Sequence, residues 1–128
     1  MLLEIDTTSA TPIYTQIRDQ MILGIAQGDL KVAESLPSVR QLADELGVNM
    51  MTISKAYTVL KKEGYLLTDR RKGTQVAPYP KKTDSFAREY QQQLALLTAE
   101  AAIHGLTPEE MVKDVVNLFT EFRKDESV

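Results

Sequence analysis

The chain has 128 residues, 43% of them hydrophobic, and no cysteine, which bounds it to one domain, or one small domain with an appendage, without disulfides, a thiolate nucleophile or a cysteine metal site. No apolar run approaches the roughly 18 residues of a membrane span, and the N-terminus MLLEIDTTSATPIY lacks the basic and apolar regions of a signal peptide, so a cytoplasmic protein is expected by exclusion. Net charge is −3, but residues 35–82 hold nine Lys/Arg against four Asp/Glu, leaving +5 in that block and −8 in the remainder.

Leu3 and Ile5 alternate around Glu4, which allows a short strand. Thr11-Pro12 reads as a helix start, with Thr11 as N-cap and Pro12 at the first helical position. Ile13, Ile17, Met21 and Ile25 then recur at four-residue spacing as one buried stripe, and Gly28 is the expected C-cap. Ser38 opens a second helix and forms a capping box with Gln41. Val39, Leu42, Ala43 and Leu46 make its core face, and Gly47 stops it in a left-handed conformation.

A third helix follows Val48-Asn49. Ile53, Ala56, Tyr57 and Leu60 repeat the core spacing. Opposite them, at 100° per residue, lie Met51, Lys55, Thr58 and Lys62, with Thr52 and Ser54 on the flanks. Gly64 ends this helix. Residues 65–69 read as a strand, 70–73 as a turn and 74–77 as the return strand. Pro78 and Pro80 start a linker. A fourth helix carries Phe86, Tyr90, Leu94, Leu97 and Ala101 and ends at His104-Gly105. A fifth starts at Thr107-Pro108-Glu109-Glu110, with Thr107 as cap, Pro108 at N1 and Glu110 at N3. Its apolar face is Met111, Val115, Leu118, Phe119 and Phe122. The tail, residues 124–128, is expected to fray.

Helix, tight turn, helix and a hairpin with a basic tip is the order of a winged helix-turn-helix. The predicted fold is therefore mainly α with a small β-hairpin wing, plus two C-terminal helices. Residues 1–78 form the expected DNA-binding domain and 79–128 a two-helix dimerisation region. In such a module the first helix crosses the DNA backbone and the second meets base edges with its N-terminal part. The +5 block suits phosphate, because a Debye length of about 8 Å hides distant charge.

Thr52 and Ser54 are small enough for close approach, and Lys55 reaches phosphate or guanine. Ser38 and the first amides of its helix suit an anion, with Arg40 one turn in. Arg70, Arg71 and Lys72 surround Gly73, which lets the backbone approach a minor groove. Met51 lies on the reading face by phase, although Met50-Met51 also suits core filling. Tyr57 reads as packing rather than base stacking. His104 reads as a helix C-terminal cation, and Glu109-Glu110 as helix-start charge.

Two alternatives remain beside DNA binding. A winged helix used for protein contact would show apolar anchors, whereas this reading face carries Lys55 and Lys62. An enzyme is disfavoured. There is no cysteine, the one histidine stands outside any constellation, and no phosphate-binding glycine loop or metal spacing appears, so no cofactor or metal is expected.

The string LPSVRQLADELGV…TISKAYTVLKKEGYL…RRKGTQVA, with PIYTQI and residues 28–36, resembles the N-terminal domain of GntR-family bacterial transcription regulators. The resemblance covers about residues 3–78. The roughly 50 residues that remain, enough for two helices, resemble the short YtrA-type subfamily. That implies no larger ligand-binding domain and no aminotransferase-like domain. Position by position it implies DNA contacts at Ser38, Arg40, Asn49, Met50, Thr52, Ser54 and Lys55, and at the wing around Lys72, Gly73 and Thr74. Relatives often carry Arg or another polar residue after Asn49. Met cannot donate to guanine, so Met50-Met51 implies contact with thymine methyls or a specificity resting more on Arg40 and the wing.

The resemblance also implies a homodimeric repressor, often of a transporter operon. Phe86, Tyr90, Leu94, Leu97, Val115, Leu118, Phe119 and Phe122 are expected to pack across a two-fold axis, the alternative being that they fold back on their own domain. A small-molecule effector between the dimer helices and no ligand at all both stay open. No membrane partner is expected.

Overall fold

A computed structural model describes residues 3–78 and 83–122. Pro80 and the tail 124–128 lie outside the described residues. The chain divides into two compact units, Met1–Pro80 and Lys81–Val128.

In the first unit α1 (Ile13–Gln27), α2 (Val39–Leu46) and α3 (Met50–Lys62) precede an antiparallel hairpin of β1 (Leu66–Asp69) and β2 (Gly73–Val76). The helical stripes meet as the sequence spacing requires. Ile17, Met21 and Ile25 of α1 share one core with Leu42 and Ala43 of α2, and with Ile53, Ala56, Tyr57 and Leu60 of α3. Leu30, Leu36, Leu66 and Val76 complete it.

Several predicted ends differ by a residue or lose their element. Pro12, not Thr11, is the N-cap of α1, in an extended conformation (ψ 145°) and with no side-chain cap bond. Its carbonyl accepts from the Thr15 and Gln16 amides (3.0 and 3.1 Å). No strand forms at Leu3–Ile5, because no neighbouring strand is there to pair with it. The Glu4 amide instead donates to Gln20 Oε1 and the Asp6 amide to Gln16 Oε1 (both 2.9 Å), so two α1 side chains hold this segment. Gly73 belongs to β2 rather than to the turn, since it pairs with Asp69.

The turn between α2 and α3 forms as expected. Gly47 takes φ 67°, ψ 34°, and its amide and that of Val48 donate to the Ala43 carbonyl, closing the helix end. An extended segment ahead of α2, not predicted, lies along β2. The Leu36 amide donates to the Thr74 carbonyl (2.8 Å) and the Val76 amide to the Glu34 carbonyl (3.0 Å). Buried Gln75 donates through Nε2 to the Ala33 carbonyl (2.8 Å). The hairpin is thereby tied to the chain that leads into α2.

The second unit consists of α4 (Asp84–Ile103) and α5 (Pro108–Phe122), joined at His104–Leu106. Thr83 caps α4 by accepting from the Phe86 amide (3.0 Å). Thr107 and Glu110 form the predicted capping box of α5. No residue of either helix is buried. None of the helices among the described residues is long and apolar enough to cross a membrane.

Candidate nucleic-acid interface

The exposed face of α3 follows from its N-cap. Asn49 Oδ1 accepts from the Met51 amide (2.7 Å), so this side chain is part of the helix start and keeps its amide nitrogen for another partner. From there the 3.6-residue repeat buries Ile53, Ala56, Tyr57 and Leu60. Ser54, Lys55, Thr58 and Lys62 turn outward and Thr52 is half-buried. Met50 and Met51 are 46% and 78% exposed, so neither fills the core.

This face forms one wall of an open groove of about 1150 Å³. Met51, Thr52, Ser54, Lys55, Thr58 and Lys62 line it from α3, and Pro12, Ile13 and Tyr14 from the start of α1. Its lining holds two lysines, four hydroxyls and no carboxylate, a composition that attracts an anion and leaves acceptors and donors for base edges. Lys55 Nζ stands 4.1 Å from the centroid of the Tyr14 ring.

The start of α2 is fixed independently. The Gln41 amide donates to Ser38 Oγ (3.1 Å), and the Ser38 amide donates to Gln41 Oε1 (2.9 Å). Tyr57, 2% exposed, donates its hydroxyl to the Pro37 carbonyl (2.7 Å), which pins the residue before Ser38 to α3. Burial, and then the negative charge of Glu45, push the Tyr57 phenol up to about 12, so it is a neutral donor at physiological pH. The Arg40 side chain is exposed and makes no hydrogen bond or ion pair to any described residue.

The wing tip is Arg70, Arg71 and Lys72, all exposed, between Asp69 and Gly73. Asp69 Oδ1 accepts from the Lys72 and Arg71 amides (2.9 and 2.8 Å). These two amides, with the Lys72 charge, hold the Asp69 carboxyl below its ordinary value. Gly73 takes φ 75°, the left-handed position that closes a three-residue hairpin loop. Thr74 is half-buried and its carbonyl is used by Leu36.

The groove thus gathers four of the sequence-predicted residues: Met51, Thr52, Ser54 and Lys55. Ser38, Arg40, Asn49, Met50 and the wing residues Arg70, Arg71, Lys72, Gly73 and Thr74 are not part of its lining. Thr58 and Lys62, which the sequence phase placed on the same outward face, line it too. Tyr14 had none, because it enters from another helix, beside the buried stripe.

On the second unit Phe86, Tyr90, Leu94, Leu97, Val115, Leu118 and Phe119 are exposed and Phe122 is half-buried. Leu96, Ile103, Leu106, Val112 and Val116 are exposed as well and were not singled out by the sequence. The Phe86 and Tyr90 rings stand 6.1 Å apart.

Residues 13–76 match the family described as Bacterial regulatory proteins, gntR family. The HTH-type transcriptional repressor YtrA of Bacillus subtilis is 37% identical over 112 residues, 86% of each chain. A solved structure of a transcriptional antiterminator from Listeria monocytogenes EGD-e superposes with TM-score 0.83 at 28% identity, covering 95% of this chain and 92% of that one. The DNA-binding domain of AraR in complex with operator ORX1 superposes with TM-score 0.53 at 28% identity, covering 60% of this chain and 99% of that one.

Proposed function

Because the chain belongs to the GntR family of bacterial regulatory proteins, DNA-binding regulators of transcription, we propose that it is a cytoplasmic repressor that binds a palindromic operator as a homodimer and catalyses no reaction of its own. The observation that carries this reading is the acid-free face of α3, with Ser54, Lys55, Thr58 and Lys62 exposed around the groove. A major groove is wide enough for such a helix, and hydroxyls and ammonium groups match its phosphates and base edges. Arg40 and the amides beside Ser38 serve a phosphate or a neighbouring guanine. The tip at Arg70, Arg71, Lys72 and Gly73, continued by Thr74, serves the minor groove. Asn49, Met50, Met51 and Thr52 begin the reading helix, the methionines suiting thymine methyl groups.

Dimerisation follows from the second unit. Two helices with no buried residue gain little stability alone. A second copy would cover Phe86, Tyr90, Leu94, Leu97, Val115, Leu118, Phe119 and Phe122 about a two-fold axis. Two linked modules then read two half-sites, raising effective concentration without new contacts. AraR bound to its operator supports this placement of DNA, and YtrA, a named repressor, supports the sign of regulation. The likeness to YtrA-type regulators favours a transporter operon as the target.

The test is selection of genomic fragments by the purified protein at physiological salt. A palindromic motif is the expected outcome, and sequence-blind recovery refutes specific binding. Arg40→Ala should abolish selection of that motif while the fold and dimer persist. Unchanged selection removes Arg40 from the site.

A further inference from the structure

The central cation of the α3 face rests on an aromatic ring from another helix. Lys55 Nζ lies 4.1 Å from the Tyr14 ring centroid, within the range of a cation–π contact. Lys55 forms no ion pair with a described carboxylate, and the groove around it holds none. The identity of this partner matters. A lysine is a flexible stem whose ordering on binding is costly. A carboxylate would order it but would cancel its charge and repel an incoming phosphate. A ring face orders the ammonium and leaves its charge intact.

We propose that Tyr14 is a positioning residue for DNA binding: its ring holds the Lys55 ammonium in the groove, so that Lys55 meets the DNA already ordered. This rests on the DNA-binding reading above and adds to it a residue of α1 that makes its contribution through Lys55. The ring, not the phenol hydroxyl, carries the effect.

The experiment is a double-mutant cycle read by fluorescence anisotropy on the duplex recovered by genomic selection, with a scrambled duplex in parallel. Tyr14→Leu should weaken binding by about two- to fivefold per module, the range open to an exposed ring–cation contact. Tyr14→Phe should restore it. In a Lys55→Gln background Tyr14→Leu should have no further effect, because the partner is already gone. Unchanged affinity in Tyr14→Leu overturns the proposal. So does an equal loss in the Lys55→Gln background, or a loss in Tyr14→Phe as large as in Tyr14→Leu.

A measurement on the free protein separates this proposal from the reading beneath it. The Lys55 ε-methylene protons should be shifted upfield by the ring in wild type and Tyr14→Phe, and not in Tyr14→Leu. Absence of that shift in a protein that binds DNA overturns the ring contact alone. Presence of the shift in a protein that selects no DNA overturns the DNA reading, and this proposal with it.

Discussion

Removing the hydroxyl of Tyr57 tests the link between the core and the start of α2. The side chain is 2% exposed, and its O–H donates to the Pro37 carbonyl at 2.7 Å. In Tyr57→Phe the ring still fills its site, so only this bond is lost. A hydrogen bond of this kind contributes about 1 kcal/mol net, and a carbonyl left dry raises the cost to about 1–3 kcal/mol. Pro37 is half-buried rather than sealed in the core, so the lower part of that range applies. The expected loss is about 1–2 kcal/mol, with a melting temperature lower by about 4–8 °C per kcal/mol in a unit of this size.

The pH profile provides the sharper check. The phenol sits near 10 when unfolded and is pushed up to about 12 in the fold. Below pH 10 both states hold the proton and the wild type keeps its full advantage. Between pH 10 and 12 the unfolded chain ionises first and binds fewer protons. Wild-type stability therefore falls by roughly 2–3 kcal/mol across that window, relative to a variant without the phenol. Urea unfolding of the two proteins at pH 7 and through the alkaline range measures this, with equal m-values showing that the same surface is exposed. Equal stability at pH 7, or parallel curves up to pH 12, would refute the reasoning.

Four further outcomes are expected. Ser38→Ala removes the capping bond to Gln41 and should cost about 1 kcal/mol in a melt, together with weaker operator binding; an unchanged melt means the cap is redundant. Gly73→Ala meets no steric clash but must keep φ 75°. It should therefore destabilise the wing by about 1–2 kcal/mol and lower operator affinity, whereas wild-type affinity would show that the tip does not touch DNA. Ala33 holds φ 69° in the turn closed by the Glu34 amide on the Lys31 carbonyl, so Ala33→Gly should stabilise the fold by about 0.5–1 kcal/mol; a lower melting temperature contradicts that strain. Leu97, 58% exposed on α4, should when changed to Asp give monomers in sedimentation, and a persistent dimer would place the interface elsewhere.

What the sequence by itself determined is what depends on residues three or four apart. The capping boxes at Ser38/Gln41 and Thr107/Glu110, the left-handed stops at Gly28 and Gly47, and the apolar stripes of α1 to α3 appear where spacing placed them, with Ile13, Val39 and Leu46 only partly buried at the edge of the core. The outward phase of Ser54, Lys55, Thr58 and Lys62 has the same origin. Once core residues fix the rotation of a helix, its opposite face is fixed as well.

Only the tertiary structure decided the contacts between distant segments. Local alternation at Leu3–Ile5 suggested a strand, but strands need a partner, and glutamines of α1 took the backbone bonds instead. The segment before α2 carries no alternating pattern, yet β2 recruits it through backbone groups that every residue possesses. Arg18 meets Glu63 through a bidentate pair at 2.8 and 3.0 Å, Tyr57 meets Pro37, and Tyr14 meets Lys55. Each of these pairs depends on the angle at which packed helices cross, and that angle is set by the whole core rather than by either residue's neighbours along the chain.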